Sequence, residues 1–106
     1  MSVGLPTNRP PTHPGEVLRE DFLKPLGLSQ KRLAEAIGVS YPRLNEIVNE
    51  HRGVSPDTAV RLAAFFGTSA EVWMGLQSHV DLYRARKEAE RSGTLRMIER
   101  ARLAIA

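Results

Sequence analysis

Between Gln30 and Asn49 the chain reads QKRLAEAIGVSYPRLNEIVN, and this stretch restricts the available folds more than any other. Ser29 and Ser40 are both capping residue types, and Gly38 falls just before the second of them. The spacing predicts two short helices joined by a turn of three or four residues. Neighbours connected so briefly cannot run antiparallel, so they cross steeply. The crossing needs a small residue where the helices approach, and Ala34 is there. It needs a residue tolerant of positive φ at the turn, which Gly38 supplies. Apolar side chains must plug the angle, and Leu33, Ile37, Val39, Leu44 and Ile47 fit. All seven positions agree with a helix-turn-helix.

The rest of the chain repeats this punctuation of short helices. Pro14 suits a first helical turn, Val17, Leu18 and Phe22 supply an apolar face, and Pro25 and Gly27 end the helix. Leu44, Ile47 and Val48 form the inner face of the third helix, capped by Ser40. Ser55, Pro56 and Asp57 open a fourth helix, with Ala59, Leu62, Ala63 and Phe66 at helical spacing and Gly67 as its stop. Thr68 and Glu71 have the spacing of a capping box and open a longer fifth helix carrying Trp73, Leu76, Val80 and Tyr83. After Gly93, Leu95, Ile98 and Ile105 outline a weaker sixth. No segment alternates like a strand, so the expected fold is all-α, with five helices and this weaker sixth. The expected division is a flexible proline-bearing arm over 1–12, a helix-turn-helix domain with its long fifth helix over 13–91, and a helix or disordered tail over 92–106.

Composition excludes several functions. With 106 residues, 42% apolar and 25% charged, the chain suits one globular domain. It has no cysteine, hence no disulfide, thiolate metal site or cysteine nucleophile. No apolar run is long enough to span a bilayer, and the start lacks the order of a secretory signal, so a cytoplasmic location is expected. His13, His51 and His79 lack metal-ligand spacing and read as surface or capping residues. Ser55, Asp57 and His51 include the types of a hydrolase triad, but capping accounts for the first two and no oxyanion-hole signature accompanies them. Neither enzymatic activity nor a cofactor is expected.

The net charge of +3 is unevenly distributed. Residues 1–83 hold eight basic and nine acidic side chains, a net of −1, while residues 84–106 hold seven and three, a net of +4. Bulk charge is therefore no argument for nucleic acid, and a DNA reading has to come from pattern. The basic stretch Arg84–Arg102 has three readings. It is a solvated helical face, a dimer contact through Leu95, Ile98 and Ile105, or a contact to DNA or an acidic partner.

The third helix supplies the pattern. With Leu44, Ile47 and Val48 turned inward, Pro42, Asn45, Glu46 and Asn49 turn outward, with Arg43 on one flank and Tyr41 nearer the other. The first turns of such a helix meet base edges in the major groove. Arg43 suits guanine or a phosphate, Asn45 suits adenine, and Pro42 offers at most contact with a thymine methyl. Glu46 either accepts from cytosine or pairs with Arg43 three residues back. Ser40 is expected at a phosphate or base near the helix start.

The segment resembles the Cro/phage-repressor (XRE) family of helix-turn-helix domains. Stretches 13–30, 52–77 and 81–83 (HPGEVLREDFLKPLGLSQ, RGVSPDTAVRLAAFFGTSAEVWMGLQ and DLY) bring it closer to HigA-type antitoxins of bacterial toxin–antitoxin pairs. The resemblance implies a homodimeric operator-binding antitoxin that represses its own operon and neutralises a RelE-like (HigB-type) ribonuclease toxin. The alternative is a stand-alone XRE regulator without a toxin partner. It also implies that Gln30 holds the phosphate backbone, with Asn49 and Arg52 clamping it on the other side. The late helices, through Trp73, Leu76, Val80 and Tyr83, are expected to supply the two-fold contact.

Overall fold

The computed structural model describes residues 10–106, so most of the expected arm over 1–12 lies outside the described residues. Among the described residues there are six helices and no strand. Helix α1 runs continuously through Pro14–Val17, Leu18–Leu23 and Lys24–Leu26. It is followed by α2 (Gln30–Ile37), α3 (Tyr41–Val48), α4 (Pro56–Phe66), α5 (Ala70–Arg91) and α6 (Thr94–Ile105). Each of α2 to α5 begins at an extended serine whose hydroxyl accepts the backbone N–H three residues on. These are Ser29 to Arg32, Ser40 to Arg43, Ser55 to Thr58 and Ser69 to Val72, at 3.1–3.3 Å. Each such cap is worth about 1 kcal/mol.

Two starts or turns differ from expectation. Helix α5 is capped by Ser69 rather than Thr68. The Thr68 hydroxyl instead accepts from the Trp73 indole N–H at 2.8 Å, because a buried indole needs an acceptor. The middle of α1, Leu18–Leu23, is π-helical, with the Lys24 N–H bonded to the Arg19 carbonyl. Pro25 just beyond has no N–H to give, and the widened turn ahead of it keeps the chain helical. The wider turn brings Leu23 into the core alongside Leu18.

The core gathers Leu18, Leu23, Leu33, Ala34, Ile37, Leu44, Ile47, Val48, Val54, Ala59, Leu62 and Trp73. Complete burial of Leu33 and Leu44 contributes about 1.5–3 kcal/mol each, so the crossing of α2 and α3 is held from within. Phe22 and Phe66 pack against it around Trp73, the three rings tilted to one another with centroids 4.5–6.5 Å apart. Trp73 and Val80 are 1% and 4% exposed, both enclosed by their own chain. Leu76 and Tyr83 are half-buried. Helix α6 contributes no buried residue.

Where α1 starts, the chain passes so close to α3 that a side chain at Gly15 would overlap the Ile47 carbonyl. His13 caps this start, its Nδ1 accepting the Gly15 N–H at 2.9 Å. Its capping role agrees with the expectation, but it is buried rather than on the surface.

Candidate nucleic-acid interface

The helix-turn-helix pair is α2 and α3. Gly38 ends α2 in the left-handed conformation, φ 74°, as the turn requires. Arg61 on α4 secures that turn from outside. Its guanidinium donates to the Ile37 carbonyl at 2.8 Å while its Nε pairs with Asp57. At the far end, Arg19 on α1 donates to the Val48 carbonyl at 2.5 Å and to Glu50 at 3.3 Å. Both helices of the motif therefore have terminal carbonyls satisfied by arginines from elsewhere in the chain, which fixes their mutual angle.

With Leu44, Ile47 and Val48 at most 2% exposed, α3 can turn only its other face to a ligand. Tyr41, Pro42, Arg43 and Asn49 lie exposed on it, and Asn45 and Glu46 are half-buried. Among the described residues nothing engages the Arg43 guanidinium, so its fork of donors is available for a guanine edge or a phosphate. The Ser40 hydroxyl accepts the Arg43 N–H as the cap and keeps its own proton to donate.

The amides form a chain across the two helices. Asn45 Nδ2 donates to Gln30 Oε1 at 2.9 Å, and Asn49 Nδ2 donates to Asn45 Oδ1 at 3.2 Å. Gln30 thus presents its own N–H donors outward at the start of α2, where the free backbone N–H groups also favour an anion. A gap of about 550 Å³ lined by Ser29, Gln30, Lys31 and Tyr41 opens at this end.

Glu46 pairs with Arg52 at 2.7 Å, not with Arg43. The cause is local. Glu50 takes a left-handed conformation, φ 63°, which turns the chain back so that the His51 N–H reaches the Glu46 carbonyl at 2.8 Å. Arg52 is thereby delivered beside Glu46. Both partners are roughly half exposed, so the pair orients Arg52 more than it stabilises the fold.

The structure thus brings Gln30, Ser40, Tyr41, Pro42, Arg43, Asn45, Glu46, Asn49 and Arg52 to the α2–α3 pair and the loop that follows. Of the residues considered for catalysis, Ser55 and Asp57 serve the start of α4, one as cap and the other as partner of Arg61. No group of three or more metal-ligating side chains occurs among the described residues. No described helix is long and apolar enough to cross a membrane. Sequence reasoning missed Arg19 and Arg61, which hold the motif from α1 and α4, and Gln77 on α5, whose Oε1 accepts the Val54 N–H in the loop that follows α3. Only the i, i+4 spacing of Asp57 and Arg61 was visible, and it does not disclose the reach to Ile37.

Residues 20–73 match the family model described as helix-turn-helix. The chain is 47% identical over 91 residues to virulence-associated protein I of Dichelobacter nodosus, covering 85% of this chain and 84% of the relative. It is 39% identical over 80 residues to antitoxin HigA-1 of Vibrio cholerae, covering 76% and 75%. The solved structure of the Pseudomonas aeruginosa antitoxin HigA with the higBA promoter superposes with a TM-score of 0.74 at 46% identity, over 77% of this chain and 89% of that one. The fold, the match over the motif and these relatives agree: the chain belongs to the XRE-type helix-turn-helix family, in its HigA antitoxin branch.

Proposed function

We propose that this protein is a sequence-specific DNA-binding antitoxin. As a homodimer it represses its own operon, and it neutralises a RelE-like ribonuclease encoded beside it. One observation carries the DNA half of this reading. The inner face of α3 is sealed in the core while Arg43 lies exposed on the outer face, its guanidinium unengaged among the described residues, on a fold shared with an antitoxin solved on promoter DNA. One α3 per half-site places the two reading heads about 34 Å apart on a palindromic operator. Gln30 and Ser40 donate to the backbone at one edge of the contact, Asn49 and Arg52 hold it at the other, and Arg43 and Asn45 address bases.

The test is a mobility-shift titration of the protein on a duplex from upstream of its own reading frame. Arg43→Ala is expected to weaken binding by about tenfold or more, because one good bidentate base contact is worth ~1–3 kcal/mol. Equal binding by wild type and variant would remove α3 as the reader. The toxin half is tested by expressing the neighbouring reading frame alone and together with this chain. Growth arrest that co-expression relieves, with co-purification and loss of ribonuclease activity, supports an antitoxin. An inert neighbour, or arrest without rescue, leaves a stand-alone regulator.

A further inference from the structure

Gln77 lies on α5, outside the helix-turn-helix, and is 7% exposed. Its Oε1 accepts the Val54 N–H at 2.8 Å, and its Nε2 donates to Asp81 Oδ1 at 2.9 Å. The two bonds admit only one orientation of the amide, since Val54 offers a donor and the Asp81 carboxylate an acceptor. Gly53 rests directly against the same amide, and a Cβ there would come within 2.7–2.8 Å of its atoms. The loop leaving α3 is therefore fastened on both sides of Arg52. The His51 N–H bond to the Glu46 carbonyl holds it before, and the Gln77 amide holds it after. Between these anchors, Glu46 takes the Nε edge of Arg52 and leaves the Nη donors for a phosphate.

We propose that Gln77 is a positioning residue for operator binding, fixing from α5 the loop that presents Arg52 to the DNA backbone. The proposal rests on the DNA-binding reading above. An apolar side chain at 77 would leave the buried Val54 N–H without a partner, and the loop would shift to satisfy it. Arg52 would then lose its placement while the base-reading face of α3, packed through Leu44 and Ile47, keeps its own.

The experiment is a double-mutant cycle on the full chain, using the duplex from upstream of its reading frame at several salt concentrations. Wild type, Gln77→Met, Arg52→Ala and the double variant are compared, with thermal melts of each. The expected result is that Gln77→Met weakens binding several-fold and lowers the magnitude of the log K against log salt slope by about two, because the homodimer loses one phosphate contact in each half-site. Arg52→Ala should do the same, and the double variant should bind no more weakly than Arg52→Ala alone. Full additivity, or a folded Gln77→Met with wild-type affinity and slope, overturns the proposal. If Gln77→Met does not melt cooperatively, Gly53→Ala displaces the same loop from its other side, and the same non-additivity with Arg52→Ala is required of it. Failure of the wild type to bind the duplex is a distinct outcome, which removes the DNA-binding reading and this proposal together.

Discussion

Gly15 sits where the first turn of α1 passes the last turn of α3. A methyl group there would overlap a main-chain carbonyl, that of Ile47, which cannot swing aside as a side chain can. Gly15→Ala is therefore expected to cost about 3 kcal/mol or more in urea unfolding, and near-wild-type stability would show that the two helices do not approach this closely. Its neighbour His13 carries a pH dependence. Burial is the main influence holding the imidazole below its ordinary value, with Arg84 and Arg19 acting in the same direction and Glu50 and Asp81 opposing. Nδ1 is occupied in accepting the Gly15 N–H, and Nε2 is buried without a partner among the described residues. The unfolded chain thus takes up a proton that the folded chain resists. The resulting stability is fully present above about pH 6.5 and falls as pH drops below it, by at most about 1.4 kcal/mol per pH unit, until the folded group titrates too. His13→Asn keeps a capping side chain that does not titrate, so its unfolding free energy should show a shallower decline over that range. Identical pH slopes in the two proteins would refute the assignment.

At the scale of elements, what the sequence discloses is what is local. A serine followed by helix formers, a proline at the first turn and a glycine at the end each act within four residues, so the starts of α2, α3 and α4 could be read directly. The π-turn in α1 could not, because Pro25 exerts its effect on the turn before it and a 3.6-residue period selects Leu18 and Phe22 but passes over Leu23. Two adjacent capping residues, Thr68 and Ser69, were likewise indistinguishable until the indole of Trp73 claimed one of them. Trp73 and Val80 illustrate another limit, since an apolar stripe on a long helix does not say whether its own chain or another covers it. For α6 the pattern was legible and the energetics were not. Its amphipathic face is plain, yet Leu95, Met97, Ile98, Leu103 and Ile105 are 48–86% exposed and nothing on the helix is buried. A 12-residue helix without tertiary burial is marginal in water. Amides of Thr94–Ile105 are therefore expected to exchange with deuterium far faster than those of α2, α3 and the buried half of α5 in dilute protein. Equal protection would mean that α6 is covered in solution.

For the whole molecule, the candidate site was legible where it rests on which side chains leave the inner face of α3, and hidden where it rests on long-range partners. Arg43 as an outward cation follows from helical geometry alone. The partnership of Glu46 with Arg52 depends on a left-handed Glu50, and no spacing rule reports that. Charge bears on the same question. Residues 1–83, which contain the whole helix-turn-helix, carry a net of −1, so affinity cannot come from a uniformly positive body. On the proposed reading it comes from a few placed donors, among them Arg43, Arg52, Gln30 and the α2 N-terminus, doubled in a two-fold pair. Such dimers neutralise roughly 6–10 phosphates, which corresponds to a log–log salt slope of about −5 to −9. The surplus of +4 lies in residues 84–106, and this makes the prediction discriminating. If binding is led by the α3 face, Arg43→Ala and Arg52→Ala should change affinity and slope, while charge-neutralising Arg96→Gln and Arg100→Gln on α6 should leave the slope within about one unit. A slope near zero, or one that collapses on neutralising α6 and ignores Arg43, would move the contact from the helix-turn-helix to the basic C-terminal helix.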